Sequence, residues 1–149
     1  MSRERYLVSS YGGNPEGTRM GLAKFFELCL KHGSGVIVVP TIGNVSGTMF
    51  TQVLPDALAK TLISKRTVSI GDGNTITLCG SSTLKNFTQA KVYLALWGQG
   101  GTIEQIEKDC YSCKAEVFVT WLPEDSKEWT RKHKVTKIYD DGVTSTPDF

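Results

Sequence analysis

The sequence predicts an α/β fold, a Rossmann-like, mainly parallel sheet flanked by helices and carrying one β-hairpin. Three observations predict it. Short apolar or β-branched runs alternate along the chain with stretches of helical apolar spacing. The run "VIVVP" at 36–40 suits a strand buried on both faces of a parallel sheet. Polar loops bearing glycine follow the strands, at the spacing of right-handed βαβ units.

Taken in order, Tyr6 to Ser10 reads as the first strand, and "YGGNPEG" after it as a loop of turn formers. From Thr18 to His32, Met20, Leu22, Ala23, Phe25, Phe26, Leu28 and Leu30 form a broad helical face. Gly33 and Gly35 stop that helix. Beyond the strand at 36–40 lies the loop "TIGNVSG", then a helical stretch from Thr48 to Lys65 broken by Pro55, which starts its main part. "RTVSIGDGNTITLCG" places two alternating runs around "GDGN", the pattern of a hairpin. A strand at 91–97, a helix at 102–109, a strand at 115–123, a short helix in "EDSKEWTRKH" and a last strand in "KVTKIYD" complete the alternation. Residues 1–142 are thus expected to form one domain, with 143–149 as a flexible tail.

The chain has 149 residues, enough for one well-formed core and short for two. Hydrophobic residues make up 40% and charged residues 21%, with a formal charge of +2. The basic residues are scattered, so the clustered footprint of a nucleic-acid binder is missing. No apolar run approaches the ~18–20 residues of a membrane helix. The N-terminal "MSRERYLVSS" lacks the apolar core of a signal peptide, and four cysteines suit a reducing compartment. A cytoplasmic protein without membrane or nucleic-acid partners is the expectation.

Ligands of open α/β sheets sit outside the carboxyl ends of the strands. The loops expected there are "SYGGNPEG", "TIGNVSGT", "GQGGT" and "LPEDS". Three of them offer backbone N–H groups and hydroxyls rather than charges, a pattern for phosphate or ribose and a poor one for metal. Candidate ligand-binding residues are therefore Ser9, Ser10, Tyr11, Gly12, Gly13 and Asn14 in the first loop. Thr41, Gly43, Asn44 and Ser46 belong to the second, and Gly98, Gln99, Gly100, Gly101 and Thr102 to the third. Trp97 and Trp121, each at a predicted strand end, could stack on a base, as could Tyr11, although core packing explains a strand-end tryptophan equally well. Glu124 and Asp125 fit a helix cap or a ribose contact.

The loops also resemble the SLOG superfamily, which includes the LOG-type phosphoribohydrolases (lysine-decarboxylase-like proteins) and nucleotide-sensing domains. "SSYGGNPEG" at 9–17 looks like its first glycine/serine turn, "GNVSGTM" at 43–49 like its second, and "GQGGTIEQ" at 98–105 is similar to its third. The resemblance spans roughly residues 5–110. It implies a nucleotide pocket and pairing into a homo-oligomer. Trp97 stands where the family has a proline, and Gln105 where its catalytic glutamate falls; an amide cannot act as a general base. Lys85 is the only cation where the family places an arginine, and it cannot reproduce a bidentate guanidinium clamp.

The reading that follows is a binding module for a nucleotide or ADP-ribose-like signal, acting as sensor or sequestering protein without turnover. The alternatives are a nucleotide N-ribohydrolase using Glu104 as its catalytic group, and a structural α/β subunit whose glycines serve turns alone. No cofactor or metal is expected. Cys110-Tyr-Ser-Cys113 lacks the partner pair of a zinc site and reads as a helix-end turn with partly buried thiols. His32 reads as a cation at a helix C-terminus and His133 as part of a solvated basic face.

Overall fold

The computed structural model describes residues 3–11, 14–40, 54–98 and 100–142. The strands are β1 (Glu4–Ser9), β2 (Gly35–Val39), β3 (Thr67–Gly71), β4 (Asn74–Gly80), β5 (Val92–Gly98), β6 (Ala115–Thr120) and β7 (Thr136–Asp140). The α-helices are α1 (Pro15–His32), α2 (Asp56–Lys65), α3 (Gly100–Asp109) and α4 (Lys127–Lys132). Short 3-10 turns cover Ser81–Asn86 and Pro123–Ser126. The strands form one seven-stranded sheet in the order β3-β4-β2-β5-β6-β1-β7. Every neighbouring pair is parallel except β3 with β4.

The α/β class with a mainly parallel sheet and one hairpin is what the alternation predicted. At the hairpin, Asp72 and Gly73 both adopt positive φ (54° and 76°), the conformation a two-residue turn between twisted strands requires. β2 and β6 are buried along their whole length because helices cover both faces of the sheet.

α1 begins three residues before its apolar periodicity does. Asn14 caps it, accepting from the Gly17 amide at 2.9 Å, and Pro15 supplies a preset φ in the first turn. Its buried stripe is narrower than the sequence suggests. Leu22, Phe25, Leu28 and Cys29 face the sheet, whereas Ala23 is exposed and Leu30 is 80% exposed. The helix lies close on the strands because it presents glycine to them: a Cβ on Gly21 would stand 2.3 Å from Val119 Cγ2.

Two apolar layers result. α1 and α2 pack on one face, where Phe25, Leu22 and Leu62 meet Val8, Ile37, Leu94 and Val119. On the opposite face Ile103, Ile106 and Trp129 meet Leu7, Val38, Tyr93 and Phe118. α2 starts after Pro55, as expected; the part of that helical stretch at 48–53 and the tail at 143–149 lie outside the described residues. No helix among the described residues is long and apolar enough to cross a membrane.

Candidate functional site

Because β1, β2, β4, β5, β6 and β7 run in one direction, their carboxyl ends share one edge of the sheet. The four loops predicted to carry the ligand all leave from that edge. So do two segments the sequence reading passed over, "GSST" at the end of β4 and Asp140–Asp141 at the end of β7. Parallelism with β2 and β1 was the signal that would have found them.

β1 and β6 are hydrogen-bonded neighbours whose chains leave in opposite directions, β1 toward α1 on one face and β6 toward α4 on the other. Divergence of this kind opens the crevice that ligands of α/β sheets use. The lip of the crevice is locked by Thr120. Its Oγ1 accepts from the Ser10 amide at 3.0 Å and donates to the Ser10 carbonyl at 2.8 Å. One residue beyond this lock on each strand stand Tyr11, 36% exposed, and Trp121, 47% exposed.

The predicted first-loop residues divide between the two faces. Successive residues of a strand point to opposite sides. Ser9 lines a cavity beside α4, while Ser10 is fully buried on the α1 side. A Cβ on Gly17 would stand 3.1 Å from the Ser10 Oγ and equally close to Val8 Cγ1. Gly17 thus serves helix–strand packing.

Three described backbone donors beside this loop are committed. The Tyr11 amide donates to the Asp141 carboxylate at 2.7 Å, the Ser10 amide to Thr120, and the Gly17 amide to Asn14. Asn14 is accordingly a helix cap. The spacing from Gly12 to Gly17, between a strand and a helix, matches the phosphate loop G-x-x-x-x-G-K-[ST]. Thr18 stands where that loop has its lysine, however, and is buried against Trp97.

Trp97 corrects the sequence reading. It is 7% exposed, and its indole N–H donates to Thr18 Oγ1 at 3.1 Å. A φ of 58° at the β-bulge between Leu96 and Gly98 turns the side chain back under α1. A tryptophan in the left-handed region is uncommon and must be held there by its packing. It belongs to the α1-side core and offers no free stacking face.

In the third loop, Gly101 and Thr102 lie in the first turn of α3, and a Cβ on Gly101 would meet nothing within 4 Å. Glu104 faces α4, where its carboxylate sits 3.6 Å from Lys132 Nζ. Gly12, Gly13, Thr41, Gly43, Asn44, Ser46 and Gln99 lie outside the described residues.

Glu107 is committed at the far edge of the sheet. It accepts from Arg5 at 2.7 and 3.0 Å, from Arg3 at 2.8 Å and from the Trp129 indole at 2.6 Å. Glu116, fully buried on β6, lies 3.3 Å from Arg5 Nε and 3.5 Å from Arg3 Nη1. Burial, then the Glu107 carboxylate beside it, pushes the Glu116 carboxyl well above the usual range. Burial acts against the Glu107 charge, but hydrogen bonds from Arg5, Glu116 and Trp129 overcome it and hold that carboxyl low.

His133 joins the same cluster, with Nε2 3.6 Å from Glu107, rather than lying on a purely solvated face. His32 ends α1 and meets Glu4 at 2.6 Å. Cys110 and Cys113 flank a turn after α3 and are buried, and burial pushes both thiols up. Among the described residues no cluster of His, Cys, Asp or Glu has the makings of a metal site.

No protein-family model matches the chain, and no curated protein matches it by sequence. Among solved structures it is similar to the UvsW helicase from bacteriophage T4, with 18% identity over 80% of this chain and 47% of that one, at a TM-score of 0.46. It is also similar to the large terminase ATPase domain of a Thermus phage, with 14% identity over 78% of this chain and 59% of that one, at a TM-score of 0.41. The chain therefore spans 47% to 59% of the length of these structures.

Proposed function

We propose that the chain binds a nucleotide-like small molecule at the carboxyl edge of the sheet, in the crevice between β1 and β6, and holds it without turnover. The observation that carries this reading is the pair Tyr11 and Trp121. Both are large aromatics left exposed on adjacent strands, just beyond the Ser10–Thr120 lock, where the chain divides to the two faces. Aromatic faces accept any base. The SLOG-like order of the glycine turns supports the same ligand class and a role as sensor or sequestering protein.

Support for the absence of turnover comes from the residues at and around the position of the family's catalytic glutamate in α3. Gln105 has no basic oxygen. Glu107 is tied down under two arginines and an indole, and Glu104 is paired with Lys132. Thermal shift and titration calorimetry with adenosine, AMP and ADP-ribose test binding. Chromatography after hours with micromolar protein tests turnover and should return the ligand intact. Free base in proportion to protein, lost in Glu104→Gln, would replace this reading with an N-ribohydrolase. No shift with any of the three compounds would leave the glycines with turns alone.

A further inference from the structure

The cavity beside α4 is the feature the crevice reading does not absorb. It has a volume of about 390 Å³, within the range of small-molecule sites, and lies between the β1–β7 pair and the start of α4. Leu7 and Ser9 line it from β1, Lys137 and Asp140 from β7, and Lys127 and Thr130 from α4. Ser9 is only 7% exposed, and its hydroxyl makes no hydrogen bond to a described residue. Ser9 lines a cavity open to solvent, so a ligand atom there can take the place of water on its hydroxyl.

The charges around it have one sign in excess. Lys137 is paired with Asp140 at 3.0 Å, while the Lys127 ammonium has no partner among the described residues. The Thr130 hydroxyl already donates to the Ser126 carbonyl at 2.9 Å, so the donors open to a ligand come from Ser9 and Lys127.

We infer that this cavity binds a phosphate group, held by the Ser9 hydroxyl and the Lys127 ammonium, with Lys137 adding positive potential. Pro123, on the cavity wall, is two residues from Trp121. A nucleotide with its base on Trp121 would place its phosphate here, a link that rests on the function proposed above. It moves the phosphate away from the glycine turn after β1, whose neighbouring amides are already used.

The test is titration calorimetry of the intact chain with pyrophosphate, adenosine and AMP at low salt. Pyrophosphate should bind, and Lys127→Gln and Ser9→Ala should each weaken it by about tenfold, the worth of a charge-assisted hydrogen bond. Lys60→Gln, on the exposed side of α2, should change nothing. Circular dichroism and thermal melts confirm that the variants fold. Pyrophosphate that fails to bind, or binds Lys127→Gln as it binds the wild type, overturns the phosphate site. Pyrophosphate binding with the expected losses, beside adenosine that does not bind, sustains the phosphate site and removes the base reading instead.

Discussion

The Trp97 indole donates to Thr18 Oγ1, joining the bulged end of β5 to the start of α1 inside the core. Trp97→Phe keeps the ring and removes the donor, so urea unfolding should show a loss of about 0.5–1.5 kcal/mol. Thr18→Val should lose a similar amount, and the double variant less than the sum. AMP affinity should not change in either variant. A loss of affinity in Trp97→Phe at unaltered stability would return Trp97 to the site.

A packing glycine in α1 and a glycine in the first turn of α3 should respond oppositely to alanine. A Cβ on Gly21 meets Val119 at 2.3 Å, so Gly21→Ala should destabilise by about 1–3 kcal/mol through overpacking. Gly101 has open space around its Cβ position in the first turn of α3. Gly101→Ala should leave stability unchanged or raise it by up to about 1 kcal/mol. Chemical denaturation separates the two. If Gly101→Ala also loses AMP binding, the turn approaches the ligand closely.

These contrasts show which parts of the molecule its sequence discloses. The hairpin was legible because Asp72-Gly73 carries its own turn geometry, and β2 because a run of β-branched residues suits only a doubly covered strand. Strand order was not, since nothing local tells β1 that its neighbours are β6 and β7. Trp97 looked like a site residue because strand-end position was the only cue. Its burial depends on one left-handed residue at a bulge, which periodicity does not register. The opposite facing of Ser9 and Ser10, by contrast, follows from the strand repeat alone and was available from the start.

The carboxyl pair Glu107 and Glu116 should set the response to pH. Glu116 has a raised pKa in the folded chain, so folding retains its proton above pH 4.5, where the unfolded chain releases it. Stability from this group is full below that point and declines as pH rises toward the raised value. Glu107 works the other way, and its contribution is lost as pH falls below 4.5. Glu116→Gln should flatten the alkaline decline while keeping the fold. Melting temperatures across pH 5–9 (about the range in which most proteins are stable) that fall equally in both proteins would place the titration elsewhere.

Removing the exposed aromatics should reduce binding without touching the core. Trp121→Ala is expected to cost about 1–3 kcal/mol of AMP affinity, the usual worth of one stacked base. Tyr11→Ala should cost less, since its amide contact with Asp141 remains. Calorimetry at matched salt checks both. Unchanged affinity in the pair of variants would empty the crevice of its base.

The order of the sheet also dictates how the protein is made. β1 is bonded on one side to β6 and on the other to β7, and Ser10 meets Thr120 at a separation of 110 residues. While the ribosome is producing α1, β2 and the hairpin, β1 has no strand to pair with, and both of its edges stay open. Pairing begins only when residues after 115 emerge. Loop closure over that distance slows folding, and an open apolar strand invites association with other nascent chains. A message that stops before β6 therefore yields a chain with an unmet strand at its head, a natural substrate for chaperones and proteases.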